Sequence, residues 1–346
     1  MKIIKILLII FFPFTLVSQN INEIFLNKKE IYFSFEYQKK SELDKFSKII
    51  SLDHRIDKNK AYAYANKKQF INFIKLNIKY EIIDNSVFYP NQSKNNWDYY
   101  PTYNQYVNMM YAFADSFPQI CKLHSLGTLS SGREILILNI SDNINQKENE
   151  PSFLYTSSMH GDELTGYVLM LRFIDDILNK YNVNSRITNL VNEIDIWINP
   201  LANPDGTYAG GNSNVWGATR SNADTVDLNR NYPDPQDGQH PDGKPWQDET
   251  LMFMGLADTI NFNLSSNLHT GAVVANYPWD TWSQLTADDS WWQHVCNEYA
   301  DTCQMYGSSN YFSNFNDGIV NGNDWYEIDG GRQDYMNYFK QCREFT

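Results

Sequence analysis

A chain of 346 residues with 42% hydrophobic and 15% aromatic content has room for one large domain and a smaller one, and is too apolar to be disordered. Its formal charge of −13 argues against nucleic acid as a partner. The charge is divided: residues 20–88 carry 13 Lys/Arg against 9 Asp/Glu, and 89–346 carry 13 against 32. The acidic region suits a cationic substrate, or serves solubility alone.

Met1 to Ser18 has lysines at 2 and 5, an apolar run Ile6–Val17, and small Ser18 before Gln19. That pattern is a secretory signal peptide, residues 1–18, with a run too short to span a bilayer. The mature protein is therefore expected to be exported, extracellular or periplasmic, with no membrane span. Residues 19–88 read as a small α+β unit. Glu30–Tyr37, Ala61–Ala65 and Tyr80–Ile83 have strand patterns; Ser41–Ile50 and Lys67–Leu76 have helical ones. The order is β-α-β-α-β with basic helices, followed by a polar linker at 89–97. Ahead of an acidic domain, such a unit reads as a propeptide whose basic surface covers it, or as an ordinary accessory domain.

From Asp98 on, helix and strand patterns alternate. A helix near Tyr103–Phe117 precedes strands at Ile135–Ile140 and Phe153–Met159, a helix at Leu164–Tyr181, and strands at Ile194–Ile198, Asn263–Leu268 and Val273–Tyr277. The fold class is α/β, a mixed sheet flanked by helices in an α/β/α sandwich. Cys121, Cys296, Cys303 and Cys342 permit up to two disulfides in an exported protein.

His160-Gly161-Asp162-Glu163 lies between the Phe153–Met159 strand and the following helix, with His269 further along. Two imidazoles and a carboxylate are the ligand set of a catalytic zinc, one Zn2+ per chain. The carboxyl end of a strand is where open α/β sheets place ligands. A solvated loop with a stray histidine would give the same tetrapeptide. After Ile198 come Asn199–Gly206, Thr219–Asn222 and Asp227–Pro233, polar stretches holding Arg220 and Arg230. Fixed guanidinium groups bind a carboxylate or an oxyanion well; surface ion pairs would use the same residues.

Six ordered blocks, HGDE, NPDG, TRSNA, DLNRN, LHTGAVVANYPWD and NGNDWYEIDGGRQD, resemble those of zinc metallocarboxypeptidases of the funnelin type, in their regulatory N/E-like branch. The resemblance covers roughly 98–346, the catalytic domain. It implies His160, Glu163 and His269 as zinc ligands, and Asp227 as the carboxylate that orients the first histidine. It further implies that Arg220 polarises the scissile carbonyl, that Asn229 and Arg230 clamp the substrate's C-terminal carboxylate, and that Tyr326 closes over the bound residue. In the basic-specific branch an aspartate sits eleven positions after the last zinc histidine; here that is Asp280, with Gln333 where the branch carries glutamine. A confined carboxylate selects Lys or Arg, because an apolar guest would leave it unpaired.

The resemblance implies a monomeric peptide hydrolase acting on peptide C-termini, preferably basic. The alternatives are an inactive zinc-containing binder of peptide C-termini, or a related zinc amidohydrolase. The family's general base is a glutamate three residues beyond a Phe-Thr pair's first member on the last strand, and the chain ends Glu344-Phe345-Thr346. By that pattern the sequence stops about two residues before the base. Glu344, in the same alternation, falls about 13 Å short at about 3.3 Å per residue.

Overall fold

The computed structural model describes residues 21–26, 28–57, 59–83, 97–308 and 311–346. The signal-peptide segment, and all of the linker but Trp97, lie outside the described residues. The first unit runs β1 (Glu30–Glu36), α1 (Lys40–Ser47), β2 (Ser51–Asp57), β3 (Lys60–Asn66), α2 (Lys67–Ile74) and β4 (Tyr80–Ile83). Its sheet has the order β2-β3-β1-β4, every pair antiparallel. Strand β2 corrects the expected three-strand order. Its sequence, SLDHRID, is too polar to read as a strand, but an edge position needs only one hydrogen-bonding neighbour. Asn66 starts α2 through a capping box with Gln69. Phe33 and Phe73 lie 4.9 Å apart and Phe35 and Phe46 5.1 Å apart, ring centre to ring centre, in an aromatic core.

The main elements of the second unit begin with α3 (Tyr103–Ser116), β5 (Cys121–Thr128), β6 (Glu134–Ile140), β7 (Ser152–Ser157) and α4 (Thr165–Lys180). They continue with α5 (Ser185–Glu193), β8 (Asp195–Asn199), α6 (Asp248–Thr259), β9 (Phe262–Leu268), β10 (Ala275–Tyr277) and α7 (Asp289–Tyr306). Then follow β11 (Ile319–Asn321), α8 (Arg332–Phe339) and β12 (Arg343–Phe345). The main sheet is ordered β12-β9-β7-β8-β6-β5, parallel from β12 to β8 and antiparallel beyond. This is the mixed sheet the alternating patterns predict.

Both faces of the sheet are covered. Leu136 and Leu138 of β6 pack toward Tyr106 of α3 and Tyr167, Leu171 and Ile174 of α4. The alternate residues Ile135 and Ile137 pack toward Phe253 of α6 and Tyr335 of α8. Burial on both sides explains the unbroken apolar run of β6. All four cysteines are free thiols, so neither permitted disulfide forms. Burial pushes Cys121, Cys296 and Cys342 up to about 12, which keeps them unreactive. No helix of the described residues is long and apolar enough to cross a membrane.

Helix α4 crosses β7 at Gly166, where an added Cβ would lie 2.3 Å from Ser157 Oγ and 3.2 Å from Leu268 Cβ. Gly166→Ala is therefore expected to lower stability by about 1–3 kcal/mol. Gly255 in α6 has nothing within 4 Å of such a Cβ, and Gly255→Ala should raise stability by about 0.5–1 kcal/mol. Denaturant melts of both variants check the pair.

Candidate metal and substrate site

The site forms where the parallel strands end. Beyond β7, Ser158 takes a positive φ of 53° and turns the chain into His160. Gly161 then passes so close to the NPDG turn that a Cβ would lie 2.3 Å from the Gly206 carbonyl carbon and 2.4 Å from Thr207 N. Only glycine permits this approach of backbone to backbone. Thr207 Oγ1 donates to the Gly161 carbonyl at 2.7 Å, and Gly161 N donates to the Arg220 carbonyl at 3.2 Å. Asn203 braces the turn, accepting from Gly206 N at 2.7 Å and donating to Met159 O at 3.2 Å. Three of the sequence blocks are thus one packed cluster.

His269 follows β9 and meets the first pair. Its Nδ1 lies 2.8 Å from Glu163 Oε2 and 3.1 Å from His160 Nδ1, which is itself 2.9 Å from Glu163 Oε1. The structure therefore brings His160, Glu163 and His269 together as one group with converging ligand atoms. His160 Nε2 faces Asp227 Oδ1 at 3.0 Å, so it carries the ring proton and leaves the Nδ1 lone pair aimed at the centre. Two imidazole nitrogens 3.1 Å apart, beside a buried carboxylate, are a donor set that fits a zinc ion.

Electrostatics follow from the packing. Burial and the Arg220 charge pull His160 down, but Glu163 and Asp227 outweigh them and raise it. Burial lowers His269 against the pull of Glu163. Burial opposes ionisation of Glu163 and Asp227, yet the histidines hold Glu163, and Arg220 with His160 hold Asp227, well below the carboxylate range.

Arg220 is fully buried, with Nε 3.1 Å from Asp227 Oδ2 and Nη1 3.3 Å from Glu163 Oε1. Among the described residues its Nη2 has no hydrogen-bond partner, and the same holds for Nε and Nη2 of Arg230 and the hydroxyl of Tyr326 apart from a looser contact between these two side chains. Buried orphan donors are costly unless something arrives to accept from them. Asn229 adjoins Arg230, its N–H on Asp227 Oδ1 at 2.9 Å and its Oδ1 accepting from Arg332 N at 2.9 Å. Asp280, 2% exposed, accepts from Gln333 Nε2 at 3.2 Å and Asn276 Nδ2 at 3.3 Å. A Cβ added at Gly331 would lie 3.4 Å from Asp280 Oδ2 and 3.8 Å from Asn229 Oδ1, so these two side chains flank one glycine.

A family model of zinc carboxypeptidases matches residues 106–346. The chain belongs to the zinc carboxypeptidase family. Mouse carboxypeptidase M is 36% identical over 249 residues, which are 67% of this chain and 55% of that protein. Human carboxypeptidase D is 37% identical over 250 residues, 68% of this chain and 18% of the relative. The catalytic chain of human carboxypeptidase N is 34% identical over 281 residues, covering 70% and 61%. The chain spans about half the length of carboxypeptidase M and under a fifth of carboxypeptidase D. Among solved structures, carboxypeptidase A from Helicoverpa armigera aligns with TM-score 0.69 at 17% identity, over 92% of this chain and 88% of its own; at that identity the likeness is one of fold.

The family match begins after the first unit, yet that unit sits on the site. Glu30 accepts from the backbone N–H of Arg220 at 2.5 Å and of Ser221 at 3.3 Å. The Arg220 guanidinium lies 5.6 Å from the centre of the Tyr64 ring, whose hydroxyl bonds Asp162. Lys48 pairs with Glu327 at 3.4 Å and Asp329 at 3.3 Å. Val320, Trp325, Tyr326 and Ile328 share one apolar cluster with Phe46, Phe70 and Phe73. Sequence reasoning missed Glu30 and Tyr64; the charge contrast between the units pointed to a contact but named no residue. Glu344 turns to Arg332, at 2.8 Å, and accepts from Ser265 at 2.7 Å, wholly buried.

Asp227→Asn keeps the shape but can no longer hold both a histidine N–H and a guanidinium. Zinc affinity should fall about 10- to 100-fold, measured by competition with a fluorescent chelator; an unchanged affinity would show that Asp227 does not orient His160.

Proposed function

We propose that this chain is a zinc-dependent carboxypeptidase that releases C-terminal Lys or Arg from peptides, exported and acting as a monomer, with residues 19–88 as a propeptide-like cover. The supporting observation is the set of orphan donors on buried Arg220 and Arg230 beside the His160–Glu163–His269 group, with Asp280 across Gly331. A zinc ion held by those three residues supplies a Lewis acid and an activated water. Arg220 Nη2 is free to donate to the carbonyl oxygen as negative charge builds on it. Arg230, through Nε and Nη2, and the amide of Asn229 grip the terminal carboxylate, which confines cleavage to chain ends. Tyr326 offers a further hydroxyl from the same wall, and Asp280 receives the cationic side chain while Gln333 steadies it.

Release of Arg or Lys from peptides differing only in the last residue, abolished by a zinc chelator, tests the reading. Absence of any C-terminal release would reject it. Asp280→Ala should cut the preference for Arg over Leu by roughly a hundredfold; an unchanged preference would remove Asp280 from the pocket. The alternative reading is a binder of basic C-termini without turnover. Tight binding of peptides ending in arginine without release would favour it.

The cover makes a separate prediction. Glu30 and Tyr64 rest on Arg220, and Tyr326 is packed into the cover's apolar cluster. Glu30→Ala removes two backbone N–H bonds to a carboxylate, worth about 1.5–3 kcal/mol each at most. Peptide binding by the uncleaved variant should rise about tenfold. If binding matches that of the unchanged chain, the unit is an accessory domain.

A further inference from the structure

We propose that the backbone N–H groups of Arg220 and Ser221 form a carboxylate-binding subsite, filled here by Glu30, which takes an acidic side chain of the peptide upstream of the cleaved bond once Glu30 withdraws. The inference rests on the reading of the site as one for peptide C-termini. Glu30 opens β1 and faces Asn66 of β3 in the sheet register. Its Oε1 accepts from Arg220 N at 2.5 Å and its Oε2 from Ser221 N at 3.3 Å, with the Ser221 hydroxyl as a third donor. The donors are fixed from behind. Thr219 N donates to the Gly206 carbonyl at 2.9 Å, Thr219 Oγ1 to the Ser221 carbonyl at 3.0 Å, and Gly161 N to the Arg220 carbonyl at 3.2 Å. Arg220 and Ser221 are both buried. A dry complex therefore orphans their N–H groups unless another acceptor replaces Glu30.

The cover meets the site at two places. Just past α1, Lys48 pairs with Asp329 at 3.3 Å, and the segment Ser47–Ser51 lines a cavity of about 170 Å³ together with Arg230. That is the side assigned to the terminal residue. Glu30 and Tyr64 lie instead over Arg220 and Asp162, beside the metal group. A peptide with its terminal carboxylate on Arg230 and its reacting carbonyl at Arg220 runs from the first place toward the second. Its upstream residues then replace Glu30 and Tyr64. The donor geometry selects the class of side chain. Each oxygen of Glu30 meets one N–H, whereas an amide offers a single oxygen and would set its NH₂ against the second donor. The Arg220 guanidinium adds its attraction, and Asp162 repels from the HGDE turn. A carboxylate on backbone N–H groups is bound about twice as strongly as a neutral acceptor.

The test compares the zinc-loaded full chain with its Glu30→Ala variant, in which the subsite is vacated. Calorimetry measures the binding of peptides ending in arginine that carry either glutamate or glutamine at one of the three preceding positions. Glu30→Ala should bind the glutamate peptide about tenfold tighter than the glutamine peptide at one of those positions. The unchanged chain, whose own carboxylate fills the subsite, should show no such preference. Acetate has the atoms that the substitution removes. It should raise the melting temperature of Glu30→Ala saturably and erase the glutamate preference, leaving the unchanged chain unaffected. Acetamide, alike in shape and uncharged, should do neither. Equal binding of glutamate and glutamine peptides to Glu30→Ala at every position overturns the proposal, as does acetate stabilising both chains alike or neither. Arginine peptides that fail to bind at all would defeat the reading of the whole site, and the proposal with it; failure of the proposal alone leaves them bound without a glutamate preference. Should Glu30→Ala fail to fold, Glu30→Gln keeps the side chain's length but mismatches one donor. A glutamate peptide should then bind about threefold tighter than a glutamine peptide, and equal binding would again overturn the proposal.

Discussion

One buried carboxylate organises this site. Asp227 holds the His160 ring at 3.0 Å, the Arg220 guanidinium at 3.1 Å and the Asn229 backbone at 2.9 Å. Through these contacts it sets the tautomer of His160, aims the Arg220 guanidinium and fixes the backbone at Asn229, the residues to which the proposed function gives the metal, the reacting carbonyl and the terminal carboxylate. Taking one carboxylate, one histidine and one arginine out of water is costly, and the network tolerates it because each oxygen of Asp227 meets a donor. The consequence is an arrangement held in place before any ligand arrives.

The rest of the second unit serves that arrangement. Parallel strands β7, β8 and β9 deliver His160, the NPDG turn and His269 to one edge of the sheet. Two glycines allow approaches no side chain would permit: Gly161 on Gly206, and Gly322 on Asp280. At the opposite wall, Asp234 ties the pocket loops together. It accepts from Gln236 N at 2.7 Å, Gly330 N at 3.0 Å and Thr281 Oγ1 at 3.3 Å. Over all this lies the first unit, which satisfies Arg220 and Ser221 N–H groups with Glu30 and stacks Tyr64 on the guanidinium.

Much of this was legible in the residues alone, where local pattern and local structure coincide. The apolar periodicity of Leu164–Tyr181 became α4 within one residue at each end, and the run Ile135–Ile140 became β6. The metal group was legible because its motif and its distant histidine are both chemically specific. The polar edge strands β2 and β5 were not, although the edge strand β4 was. The β2 sequence SLDHRID and the β5 sequence CKLHSLGT carry polar residues that a one-sided neighbour tolerates, and Gly127 breaks the β5 register with a bulge. Contacts of Glu30 with Arg220, 190 residues away, leave no local trace. Nor does the anchoring of Asp280 by Asp334, which ends the last block of the family resemblance but is set by how α8 packs on the pocket loop. The sequence left the disulfides open for a related reason: cysteine count says nothing of which thiols the fold brings together.

The central claim is that a metal and a peptide's terminal residue share the site in one orientation. A crystal structure of the zinc-loaded protein with a non-cleavable peptide ending in arginine tests it directly. The account predicts an anomalous zinc peak bounded by His160, Glu163 and His269, the terminal carboxylate on Asn229 and Arg230, and the guanidinium on Asp280. Zinc held elsewhere, or a peptide bound with its terminal carboxylate away from Arg230, would contradict it.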